Sequence, residues 1–106
     1  MVKSTAVSIA VSAPVVPGSF SLITILPGTT VLAGTTVTYS GILYDQNGNP
    51  LPGWTVNLLG AVQHMVTDAN GAFMFSELFS VAGTYFRAIR ATNTTVKTPK
   101  ITITVI

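Results

Sequence analysis

The chain has 106 residues, no cysteine, and five basic residues against three acids for a net charge of +2. A domain of that length can bury its own core, no disulfide framework is available, and no apolar run approaches the roughly 20 residues that a membrane-spanning helix needs. Hydrophobic residues make up 48% and charged ones 8%, a surface poor in charge that suits packing against neighbours, and Lys3, Arg87, Arg90, Lys97 and Lys100 read as too scattered for a nucleic-acid footprint.

Thr5 to Ala13 alternates, with Val7, Ile9 and Val11 on one face and Ser8 and Ser12 on the other, which predicts a strand. Ser4, Thr5, Ser8 and Ser12 interrupt any signal-peptide core and Pro14 follows the small-residue cleavage candidate, so a secretion signal is weakly supported. The stretch PVVPG, Pro14 to Gly18, then reads as a stiff linker. Phe20 to Leu26 is the next predicted strand, ended by Pro27-Gly28. A longer one, Thr36 to Tyr44, places Val37, Tyr39, Gly41 and Leu43 on one face and Thr36, Thr38 and Ser40 on the wetter one. Trp54, Val56 and Leu58 alternate against Thr55 and Asn57, and Gln63 to Thr67 forms a short strand. Ala72 to Ser76 follows, with Phe73 and Phe75 pointing together.

Thr84 to Ala91 is less regular, because Tyr85, Arg87 and Ile89 share one face and Phe86, Ala88 and Arg90 the other. Either a bulge resets its register or both faces are covered and one arginine snorkels to the rim. Lys100 to Ile106 closes the chain, with Pro99 expected at an edge or a strand start. No segment sustains a helical period. About seven or eight short strands with turn signals between them predict an all-β, mostly antiparallel β-sandwich.

Asp45, Asn47, Gly48 and Asn49 are open to two readings. An Asp-x-Asn-x-Asn spacing can wrap calcium, but a calcium loop wants several carboxylates and Asp45 stands alone, whereas Asn-Gly followed by Pro50 and Pro52 is a strong turn signal. The turn is the preferred reading, and Asp68 with Asn70 is read the same way. His64 is the single histidine, so a protein-only zinc site or a nucleophilic triad would have to recruit distant acids. No catalytic residue, metal ligand or cofactor site is assigned, and no enzymatic activity is expected. For ligand binding, Trp54 and Phe79 are the candidate platform on which a carbohydrate could stack, with Phe79 expected to be exposed in SELFSV; the competing reading buries Trp54 and Tyr39 in the core. Asn93-Thr94-Thr95 is a glycosylation sequon.

The phrases SGILYDQNGNPLPGWTVNLLG, VTDANGAFMF and AGTYFRAIRA together resemble the bacterial immunoglobulin-like domains of the invasin and intimin type, and more loosely the carboxypeptidase regulatory-like domains. The resemblance covers roughly residues 20 to 106. It implies an immunoglobulin-like sandwich and leaves function open, because such domains serve in adhesins, surface layers, polysaccharide enzymes and virus particles. Trp54 departs from the small residue typical at its position.

These observations divide the chain into residues 1–19, an N-terminal strand and linker, and residues 20–106, the sandwich. A strand outside an otherwise complete domain must pair either with its own sandwich or with a neighbouring subunit. The expectation is a non-catalytic building block of a surface assembly, filament, tube or virion, partnered by copies of itself or by neighbouring immunoglobulin-like domains. Its place is extracellular or at the cell surface, alternatively in a virion. The alternative function is a carbohydrate- or receptor-binding module of a larger adhesin or secreted enzyme.

Overall fold

Alternating apolar residues build most of the nine strands in a computed structural model that describes residues 14–106. The predicted strand carrying Val7, Ile9 and Val11 lies outside the described residues. In chain order the strands are β1 (Pro17–Phe20), β2 (Thr24–Leu26), β3 (Thr30–Val31), β4 (Thr35–Asp45), β5 (Thr55–Leu59), β6 (Gln63–Val66), β7 (Ala72–Phe79), β8 (Gly83–Ala91) and β9 (Ile101–Val105).

One sheet is centred on β4, which pairs with β1 and β2 on one side and with β7 on the other. The second runs β3-β9-β8-β5-β6. All pairings are antiparallel except β3 with β9. Between the sheets lie Val37, Tyr39 and Leu43 from β4, Phe73, Phe75 and Phe79 from β7, Val56 and Leu58 from β5, and Ile89, Ile101 and Ile103 from β8 and β9. Burying each of the larger aliphatic side chains stabilises the fold by about 1.5–3 kcal/mol.

Three sequence expectations are corrected. The linker expected at Pro14 to Gly18 carries sheet structure, because Gln46 N–H donates to Val16 O at 3.0 Å and Pro17 opposes Asp45. The strand expected from Phe20 to Leu26 is two strands. Between them Ser21 stays tied to β4 through its backbone, and its Oγ accepts the Ile42 amide at 2.9 Å. This break turns Ile23 inward over Gly41, where a Cβ would lie 2.7 Å from Ile23 Cδ1. Gly41 is therefore the gap that receives Ile23. Finally, β7 runs on to Phe79, which is 3% exposed rather than on the surface.

The two outer faces differ. That of the β4 sheet carries Thr36, Thr38, Ser76, Met74 and Leu78, a mixture of hydroxyls and aliphatics. That of the β8 sheet carries Asn57, Phe86 and Arg90.

Candidate functional site

Three places hold the residues that chemistry would need: the polar corners, the interior charge cluster and the open seam between the sheets. At the first corner Asp45 N–H donates to Asn49 O, and Asp45 Oδ1 accepts the amides of Asn47 at 2.8 Å and Asn49 at 3.0 Å. Asp68 repeats the device, its Oδ1 accepting from Asn70 at 2.8 Å and Ala72 at 2.9 Å. Both carboxylates thus hold turns, satisfying amides that would otherwise compete for solvent. Among the described residues no three His, Asp or Glu side chains gather where a metal could sit. His64 is exposed on β6, opposite Asn57.

The interior cluster explains the uneven strand β8. Tyr85, Arg87 and Ile89 face inward, and Arg87 meets Glu77 of β7 across the space between the sheets. Its Nη2 donates to Glu77 Oε2 at 2.6 Å and its Nε to Oε1 at 3.0 Å, a two-pronged pair with both side chains largely shielded. The guanidinium also lies 5.6 Å from the ring centres of Phe79 and Tyr85. Tyr39 Oη donates to Glu77 Oε1 at 3.2 Å. Burial pushes the Tyr39 phenol well above its usual range, and the adjacent Glu77 charge and hydrogen bond push it further. The hydrogen bond to Glu77 likewise holds Arg87 protonated beyond its ordinary range. A cluster so tightly self-satisfied positions strands; it offers no free base or nucleophile.

Trp54 is half-buried. Its amide donates to Thr67 Oγ1 at 3.0 Å and its indole Nε1 to Thr92 O at 3.2 Å, so one edge of the ring is committed to the fold. Its open side lines a shallow depression of about 220 Å³ with Gly53, Thr55, Thr92 and Asn93. Trp54 and the buried Phe79 do not share a surface: Phe79 packs against Tyr85 at 4.8 Å between centroids.

A concavity of about 770 Å³ lies at the seam where β1 and β2 face the connection from β8 to β9. Its apolar walls are Phe20, Ile23 and Ile25 on one side and Val96 and Ile101 on the other. The wall formed by residues 95–100 is held to β8 by Thr98, whose amide donates to Ile89 O and whose Oγ1 accepts from Ile89 N. Above it β1 and β2 leave one side of their backbone without a strand partner among the described residues. Nothing in the local sequence announces this groove. It arises because the strand is broken at Ser21 and because residues 95–100 do not form a regular strand.

A family model described as the carboxypeptidase regulatory-like domain matches residues 38–106. Solved structures show the same fold at low identity. The D0-D1 domain of intimin is 21% identical, with a TM-score of 0.63 over 81% of this chain and 48% of that fragment. A C-terminal fragment of intimin, in complex with the intimin-binding domain of its translocated receptor Tir, is 20% identical, with a TM-score of 0.65 over 81% of this chain and 33% of that one. Domains 4 and 5 of the S-layer protein SbsC are 18% identical, with a TM-score of 0.56 over 90% of this chain and 55% of that fragment. The chain therefore spans about half or less of the solved fragments it matches. No curated protein sequence matches it. The shared architecture is an all-β, immunoglobulin-like sandwich.

Proposed function

This chain belongs to the carboxypeptidase regulatory-like domain family, and from that premise we propose that it is a non-catalytic, immunoglobulin-like building block of a surface protein or surface assembly, working outside the cell or at its boundary. The fold shared with intimin and S-layer domains supports the surface setting. The commitment of Asp45, Asp68 and Glu77 to turns and to an ion pair supports the absence of catalysis.

The observation that carries the assembly reading is the apolar seam beside the edge of β1 and β2 that has no strand partner among the described residues. Residues Thr5 to Ala13 supply what such a seam takes: an alternating strand with Val7, Ile9 and Val11 on one face. Added beside a sheet edge, such a strand gains backbone hydrogen bonds while its apolar face fills the groove. The donor is a neighbouring copy. Gln46 bonds both Pro14 O and Val16 N–H, so the chain leaves the sandwich at the Asp45 corner in an extended course fixed by Pro14 and Pro17. Head-to-tail donation of this kind gives open filaments or closed rings.

Sedimentation of the full chain and of a chain lacking residues 1–13 tests this reading. Concentration-dependent oligomers for the first and monomers for the second are expected; two monomers would end it.

A further inference from the structure

The charges that look dispersed in the sequence converge in space. Four of the five basic residues lie on β8 or on its connection to β9. Arg87 is spent inside on Glu77, but Arg90, Lys97 and Lys100 form no ion pair among the described residues. Cross-strand register orders the outer face of this sheet. His64 of β6 stands opposite Asn57 of β5, Asn57 opposite Arg90 of β8, and Arg90 opposite Lys97. Directly opposed residues on antiparallel strands project from the same face, and Val56, Leu58, Ile89 and Ala91 occupy the inner one. His64, Asn57, Arg90 and Lys97 thus form one transverse row, spaced by the roughly 4.8 Å between strands.

Beside the row is a shallow depression of about 290 Å³ bordered by Leu59, Gly60, Ala88 and Phe86, with Lys97 and Lys100 at its rim. Lys100 Nζ lies 4.5 Å above the Phe86 ring. Arg90 Nε is buried and has no hydrogen-bond partner among the described residues. The acids offer no internal neutralisation: Asp45 and Asp68 hold corners, and Glu77 faces the interior.

We propose that this face binds a linear anionic polysaccharide, one bearing a carboxylate, sulfate or phosphate on successive sugars. The chain would cross the strands along the row, with its acidic groups on Arg90 and Lys97, Asn57 and His64 bonding its hydroxyls, and one ring in the depression against Phe86. Two features favour a glycan over other polyanions. The strand spacing is close to the length of one sugar unit in an extended polysaccharide, and two polar hydrogen-bonding groups, Asn57 and His64, continue the row beyond the two cations, as hydroxyl-rich ligands require. A single-stranded nucleic acid would want a series of open aromatic stacking platforms, and here a single phenyl ring, Phe86, stands beside the row. The proposal does not require strand exchange at the seam, although Lys97 and Lys100 border that concavity as well.

The test titrates the full chain with polygalacturonate and, separately, with its fully methyl-esterified form, poly-glutamate and single-stranded DNA, at one fixed ionic strength. Polygalacturonate is expected to bind more tightly than the other three. R90Q/K97Q, with an unchanged melting temperature, is expected to weaken it by about tenfold or more, as loss of charge-assisted hydrogen bonds does, and K97Q/K100Q to weaken it in the same direction. K3Q is expected to leave it unchanged. The proposal is overturned if polygalacturonate does not bind, if the ester, poly-glutamate or DNA binds as well, or if K3Q weakens binding as much as R90Q/K97Q.

Discussion

Arg87 Nη2 lies 2.6 Å from Glu77 Oε2, joining the two sheets by a charge pair in a place where every neighbouring inward residue is apolar or aromatic. Removing one member leaves the other charged and shielded, whereas replacing both with aliphatic residues removes the desolvation cost together with the attraction. E77L is expected to cost about 3 kcal/mol and R87L a similar amount. The double variant E77L/R87L should be more stable than either single one. Urea unfolding of the four proteins measures this, and additive losses would contradict it.

Tyr39 makes the cluster sensitive to alkali. Its folded pKa is raised by burial and by Glu77, so above the unfolded value of about 10 the unfolded chain releases a proton that the native state retains. The unfolded state then binds fewer protons, and stability falls as pH rises. The stabilisation is complete below about pH 10 and is lost progressively above it. Y39F, which cannot ionise, should show a shallower decline of melting temperature between neutral and strongly alkaline pH. Parallel curves for the two proteins would rule this out.

Gly41 and Ile23 form a size-matched pair. With Ile23 Cδ1 2.7 Å and Phe73 Cζ 3.1 Å from where a Cβ would stand, G41A is expected to lose about 1–3 kcal/mol through overpacking. I23V removes the closest atom. G41A should therefore cost less in an I23V background than in the parent chain, and an equal or larger cost there would contradict the packing account.

Asp45 separates a corner from a metal loop by simple chemistry. A turn needs only an oxygen acceptor for the amides of Asn47 and Asn49, which an asparagine keeps. D45N should stay within about 1 kcal/mol of the parent, while D45A, removing the acceptor of two part-buried hydrogen bonds, should lose about 1–3 kcal/mol. Thermal unfolding with and without added calcium reads both variants, and a calcium-dependent stability that D45N abolishes would overturn the corner.

Much of the sandwich was legible because a half-buried strand alternates. Val37, Tyr39 and Leu43 face the core as their spacing predicts, and so do Val56 with Leu58 and Phe73 with Phe75. β3 escaped because two residues carry no period and its partner β9 lies far along the chain. Phe79 was misplaced for a subtler reason. Glu77 interrupts the apolar series on the inner face of β7, and a carboxylate there looks like the end of a strand until Arg87, on another strand, is seen to satisfy it. The convergence of Arg90 and Lys97 was invisible for a related cause: it depends on how residues 95–100 return along β8, which no local pattern encodes.

Disulfide trapping tests the central claim most directly, since the native chain contributes no cysteine of its own. A chain carrying I9C and V96C would be oxidised under mild conditions and separated without reductant. Strand donation between copies predicts a ladder of cross-linked dimers and larger species, absent from either single variant beyond the dimer. A cross-linked monomer with no ladder, or no cross-link, would contradict it.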